Sequence, residues 1–215
     1  GMNQWMTRPF EYPDTPIDRG KILWEEDLAS LSGEWGRYLD VDGDGIGYRT
    51  LPGNKHPSAA YFARGTGHNE FGRYSEDPKV WEANLLRLSR KIKAIRGILP
   101  EPAILSSMGA QIGVIGFGST DPAIREAIEI LSEQGITVDY LRLRALPAAD
   151  EVKEFIEKHQ RNYVVELNRD GQLKIILQAE FPEDTALLRS LAHLDGLPLS
   201  AAWLVNALKE QEEIE

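Results

Sequence analysis

The strongest constraint on the fold lies in the second half of the chain, where short apolar runs alternate with well-capped helical segments. GVIGFG (113–118) reads as a buried strand, and Asp121-Pro122 opens a helix through Gln134, with proline at the first helical position. Gly135 ends that helix, and ITVDYLRLRAL (136–146) is a second strand. PAADEVKEFIEKHQ follows as a helix and NYVVEL (162–167) as a third strand. The turn NRDG leads into a helix around QLKIILQAEF, LRSLAHL is a candidate fourth strand, and Ser200 caps a last helix, AAWLVNALKEQ. Single helices of about a dozen residues between strands imply parallel βαβ crossovers. Residues 100–215 are therefore expected to form an α/β domain with a doubly wound, mostly parallel sheet.

The first half reads differently. Residues 1–77 are rich in Gly, Pro, Asp and aromatics and show little periodicity, so they are expected to form an irregular arm that wraps around something. AAYFARG (59–65) is its one expected short strand. Residues 78–99 are expected to be a connecting helix: Asp77 is its N-cap, and Val80, Trp81, Ala83, Asn84, Leu85, Leu88, Ile92 and Ile95 give an amphipathic pattern.

Composition narrows the functional classes. A net charge of -10 argues against non-specific binding to nucleic acid or anionic lipid. There is no apolar run of about 18 residues and no signal-peptide pattern, so the expected location is cytoplasmic. Gly1 ahead of Met2 reads as a remnant of cloning. The chain has no cysteine, which removes disulfides, thiolate zinc sites and cysteine-bound iron–sulfur clusters from this polypeptide.

DVDGDGIGYRTLPG (40–53) opens like a calcium loop. Asp40, Asp42 and Asp44 fall at the first, third and fifth ligand positions and Gly45 at the sixth. The twelfth position, which needs a bidentate Glu, is Leu51, and Pro52-Gly53 forestalls a helix. A glycine-rich turn whose aspartates bond their own backbone is the better reading, and no metal is expected. A calcium-responsive module is the competing one.

The same string resembles part of a known family. DGIGYRTLPG, with Arg49 and Pro52-Gly53, is followed by a Gly65, His68-Asn69-Glu70-Phe71-Gly72 run and by Glu76-Asp77-Pro78. Together with VIGFGSTDPAIREAIEIL, VVELNRDGQL and the early PFEYPDTPIDRGKILWEEDL, these are similar to the alpha subunit of 2-oxoacid:ferredoxin oxidoreductases, the 2-oxoglutarate type in particular. The resemblance covers nearly the whole chain at ordered spacings. It implies the C-terminal part of the alpha subunit, with a fold like the C-terminal domain of transketolase, serving subunit assembly and the edge of the active site. It also implies that thiamine diphosphate, Mg²⁺ and a [4Fe–4S] cluster sit on other parts of the complex, with no cofactor in this chain. The implied partners are the beta subunit and the upstream part of the alpha subunit, with ferredoxin and CoA met through the complex; homodimerisation is open. Pyruvate and branched-chain oxoacids are competing substrates, and a free-standing nucleotide- or acyl-CoA-binding module is the competing function.

Several residues stand out as site candidates. His68 and Glu70 lie in a polar loop between glycines, suited to proton transfer or carboxylate binding, or to a loop hydrogen bond. Arg49 joins them through the family motif. Glu166, Asn168, Gly171 and Gln172 fall at the carboxyl end of an expected parallel strand, where open α/β sheets place ligands, yet they also suit a strand-to-helix turn. Gly116, Gly118, Ser119 and Thr120 resemble half of a phosphate-binding fingerprint, although Asp121 occupies the third glycine position and a plain helix cap explains the pattern. His56, His159 and His193 lack zinc spacing and read as surface or turn residues.

Overall fold

Alternating strands and helices close into one sheet in the second half of the molecule. The computed structural model describes residue 12, residues 14–63 and residues 65–214. The chain divides into two units, with a boundary between Ile98 and Leu99.

The C-terminal unit carries a five-stranded sheet in the order β1-β3-β2-β4-β5. Its strands are β1 (Ala103–Leu105), β2 (Ile112–Phe117), β3 (Val138–Leu143), β4 (Arg161–Glu166) and β5 (Leu188–Ala192). β2 pairs in parallel with β3 and β4, and β4 in parallel with β5. The edge strand β1 runs antiparallel to β3, with Ile104 opposite Leu141. The sequence reading missed β1, because three residues after a proline are too few to show periodicity and the pairing partner lies far along the chain. The candidate fourth strand forms as β5.

Period-two alternation sends side chains to two apolar layers. Val114, Tyr140, Tyr163 and Val165 pack on one face against helices α3 (Asp121–Glu133) and α6 (Ala201–Gln211), including Ile124, Leu131, Leu204 and Leu208. Ile115, Leu141, Leu143 and Val164 pack on the other against α4 (Asp150–Lys158) and α5 (Gln172–Glu180). Helices on both faces explain why these strands read as nearly continuous apolar runs. Ser200 caps α6 as its sequence predicts, its hydroxyl accepting from Trp203 N.

One acid breaks the apolar pattern. Asp139 points to the same face as Leu141 and is fully buried. It accepts from Ser107 N at 2.6 Å and sits 2.7 Å from Lys158 Nζ and 3.0 Å from His159 Nε2. The other ring nitrogen, His159 Nδ1, lies 2.7 Å from the Phe155 carbonyl. His159 is therefore a core residue, and His193, stacked on Trp203, is buried too. The surface reading of both fails because an expectation drawn from residue type ignored where α4 and β5 end.

The N-terminal unit, Glu11–Ile98, contains α1 (Glu25–Ser30), short 3₁₀ turns and the long helix α2 (Pro78–Ile95). α2 thus belongs with the arm and is no separate connector. Asp77 caps it, accepting from Lys79 N at 2.8 Å. The expected strand at 59–65 is absent among the described residues: Pro57–Ala59 forms a 3₁₀ turn and residues 60–63 have no ladder. Tyr61 instead sets its ring edge-on to Trp35 at 5.3 Å, and the Ala59 carbonyl accepts from Thr50 Oγ1. Pro9, Phe10, Glu11, Pro13 and Arg64, on which parts of the sequence reading rest, lie outside the described residues. No described helix is long and apolar enough to cross a membrane.

Burial disfavours ionised Asp139, yet Lys158, Ser107 N–H and His159 outweigh it and hold its carboxyl below the usual range. Its contribution to stability is therefore present above the unfolded carboxyl value of about 4 and is lost as pH falls through the lower folded value. Asp139→Asn is expected to cost about 2–4 kcal/mol at pH 7. In urea unfolding from pH 7 down to acid, the gap between wild type and variant should narrow below about pH 4.

Candidate functional site

The sheet order reverses direction at β2: the chain moves to β3 on one side, then crosses to β4 on the other. Open α/β sheets bind ligands outside the carboxyl ends of the strands at such a point. The loops leaving β2 and β4 there contain Gly116–Thr120 and Glu166–Gln172, so the fold brings two of the candidate sets to adjacent strand ends.

The β4 loop is built around a buried carboxylate. Glu166 ends the strand with no exposed surface. Its Oε2 accepts from Leu173 N at 2.8 Å and Asn168 Nδ2 at 2.7 Å, and its Oε1 from Lys174 N at 3.1 Å. Asn168 in turn accepts from Gln172 N at 3.2 Å. Gly171 turns the chain with φ 65°, and a Cβ there would sit 2.9 Å from Ser190 Oγ. The first N–H groups of α5, where the helix dipole favours an anion, are thus satisfied by the chain's own Glu166.

The β2 loop is held by side-chain bonds of a different kind. Gly116 packs against Ile124, Thr120 and Tyr140. Thr120 Oγ1 accepts from Phe117 N at 3.2 Å and donates to Phe117 O at 2.8 Å. Asp121, nearly buried, opens α3 and accepts from Arg125 Nε and Tyr140 OH, each at 3.0 Å, with Arg142 Nη1 at 3.6 Å. Burial, and next the charge of Asp121, push the Tyr140 phenol well above its ordinary value. A second helix N-terminus at the crevice therefore also carries its own carboxylate, paired with two guanidinium groups.

At α5 a phosphate would face the Glu166 carboxylate, already bonded to the N–H donors it needs, and at α3 it would meet the negative charge of Asp121. The chain's lack of cysteine likewise gives an iron–sulfur cluster no ligands. No catalytic step is assigned to these loops.

His68, Glu70 and Arg49 belong to the N-terminal unit. The His68 ring stacks on Tyr38 at 4.1 Å, with Nδ1 2.9 Å from Asn69 O, while Asn84 Nδ2 donates to the His68 carbonyl. The Glu70 carbonyl accepts from Tyr38 N at 3.0 Å, and its residue is exposed. Arg49 Nη2 donates to Arg19 O at 2.7 Å, and the Arg49 and Leu23 amides bridge two loop segments. All three tie loops together.

The calcium-like string resolves as a charge-paired turn. Lys21 Nζ lies 2.5 Å from Asp42 Oδ2 and 2.6 Å from Asp44 Oδ2, where a cation's charge would be needed. Asp40 takes Arg90 at 2.8 Å and Gly45 N at 2.7 Å. Burial works against the Asp40 charge, but Arg90 and the Gly45 N–H hold its carboxyl below the ordinary range. No group of three or more His, Cys, Asp or Glu among the described residues could hold a metal ion.

Sequence reasoning missed the Asp139–His159–Lys158 cluster and the Arg161–Glu212–Tyr163 cluster. In the latter, Glu212 Oε1 is 2.6 Å from Arg161 Nε and 2.5 Å from Tyr163 OH. Burial first, and the Glu212 hydrogen bond next, push the Tyr163 phenol up to about 12. A signal existed for Asp139, an acid at an inward position of an apolar strand; none existed for Glu212 in the acidic tail.

The C-terminal unit is a five-stranded, mostly parallel α/β domain whose β4 loop is braced by an internal carboxylate. The chain is 31% identical over 201 residues to the alpha subunit of 2-oxoacid:ferredoxin oxidoreductase 2 from Aeropyrum pernix, covering 90% of this chain and 29% of that protein. The chain spans under a third of the length of that relative. Its fold matches 2-oxoglutarate:ferredoxin oxidoreductase from Magnetococcus marinus, solved with 2-oxoglutarate, coenzyme A and succinyl-CoA bound. That match has a TM-score of 0.73 and 24% identity over 92% of this chain and 33% of that one. No family model matches the chain.

Removing the Glu166 carboxylate leaves two helix N–H groups, one buried and one partly buried, without that partner. Glu166→Ala is expected to cost about 3–5 kcal/mol in urea unfolding, with Glu166→Gln between it and wild type.

Proposed function

We propose that this chain is the C-terminal, assembly-serving part of the alpha subunit of a cytoplasmic 2-oxoacid:ferredoxin oxidoreductase, with 2-oxoglutarate as substrate. In this reading the thiamine diphosphate, Mg²⁺ and [4Fe–4S] cluster reside on other polypeptide, namely the upstream part of the alpha subunit and the beta subunit. Decarboxylation and electron transfer to ferredoxin are the chemistry of those groups, with CoA taking the acyl product. What this chain contributes is a rigid surface: two strand-end loops locked by their own hydrogen bonds, and a second unit whose loops are held by charge pairs.

The observation that carries the reading is the filling of the α5 N-terminus at the crevice by Glu166. It weighs against a free-standing nucleotide- or acyl-CoA-binding module, which needs those N–H groups open to phosphate. The 2-oxoglutarate preference draws support from the Magnetococcus marinus enzyme's bound ligands and from the sequence motifs.

Purified chain supplied with thiamine diphosphate, Mg²⁺, 2-oxoglutarate, CoA and a one-electron dye should give no dye reduction. Adding the complementing alpha and beta segments should restore it. Turnover by the chain alone would refute the proposal, and faster turnover with pyruvate than with 2-oxoglutarate in the restored complex would refute its substrate.

A further inference from the structure

Helix α2 is packed inside out. Trp81, Leu85, Leu88 and Ile92, spaced by four, three and four residues, form one stripe along it. They are 58%, 53%, 43% and 47% exposed, and no residue of this 18-residue helix is buried. Its polar flank does the packing: Asn84 donates to the His68 carbonyl, Arg87 Nη1 donates to Gly45 O at 3.0 Å, and Arg90 reaches Asp40. An amphipathic helix ordinarily turns its stripe inward. Here hydrogen bonds and ion pairs fix the opposite orientation, so the exposed stripe is a designed surface and not a poorly packed one.

Charge selects the occupant. With Arg87 and Arg90 engaged on the packed flank, the helix keeps Lys79, Lys91 and Lys93 against one Glu in a chain of net charge -10. Leu85, Leu88 and Ile92 floor an open groove whose wall is Ser89, Lys93 and Arg96. Two such stripes face to face would oppose positive charge with positive charge, unrelieved by the lone Glu82. We propose that this stripe docks an amphipathic helix of another subunit, whose apolar seam is edged by Asp or Glu set against Lys93 and Arg96. The proposal rests on the reading of the chain as an assembly domain.

Two synthetic peptides of about 20 residues test it, long enough to match the helix. Both carry the same Leu/Ile heptad seam, one edged with Glu and the other with Lys. Titrated into the full chain and followed by tryptophan emission and calorimetry, the Glu peptide is expected to bind at least about tenfold tighter, the difference shrinking with salt. Leu85→Glu/Leu88→Glu should abolish binding with an unchanged circular-dichroism spectrum, both side chains being exposed. Lys93→Glu should narrow the preference, and Trp81→Phe should remove most of the emission change. Equal binding of the two peptides, binding of neither, or a chain dimer in sedimentation that Leu85→Glu/Leu88→Glu disperses would overturn the proposal. If complementing subunits co-purify equally with wild type and the double-Glu variant, the stripe proposal fails and the assembly reading stands. If they fail to co-purify with wild type, the assembly reading fails while the peptide titration still decides the stripe.

Discussion

A single buried carboxylate sets the character of the α/β unit. Glu166 sits with no solvent contact beneath the start of α5, and its charge is tolerated because two helix N–H groups and one amide N–H point at it. Each such charged hydrogen bond is worth about 1.5–3 kcal/mol, enough together to offset much of the cost of burying the ion. The arrangement locks strand, turn and helix into one geometry. It also uses the donors that nucleotide-binding relatives of this architecture leave open for phosphate. At α3 a second carboxylate, Asp121, is held at the first helical position by Arg125, Arg142 and Tyr140.

The N-terminal unit solves a different problem with the same means. Its loops bury little apolar surface, so charge pairs and side-chain-to-backbone bonds hold them: Lys21 between Asp42 and Asp44, Arg90 on Asp40, Arg49 on the Arg19 carbonyl. The string that imitates a calcium loop is one of these braces, with an ammonium group supplying the positive charge. α2 is tied to the same loops by polar residues, and the consequence is an apolar stripe turned outward.

Much of the α/β unit was legible because its strands are covered on both faces, Pro122 falls in the first turn of α3 and Ser200 caps α6. Runs such as GVIGFG and caps such as Ser200 follow from local chemistry alone. β1 was illegible because its identity depends on pairing with β3, and AAYFARG misled because Tyr61 packs on Trp35 instead of joining a ladder. At the candidate site, the position of Glu166 and Gly171 at a strand end could be read, but which way the carboxylate pointed could not. Turned outward it would be a site residue; turned under α5 it is a cap. His159 was misjudged for the same reason, since its burial depends on Asp139 across 20 residues of chain.

Amide NMR reads the occupied N-terminus of α5 directly. Thiamine diphosphate with Mg²⁺, CoA and ADP would each be titrated into the full chain to about 1 mM while the Leu173 and Lys174 resonances are followed. The account predicts that these amides stay where they are. Resonances at Leu173 or Lys174 that shift and saturate at micromolar ligand would contradict it, because a phosphate would then have displaced Glu166.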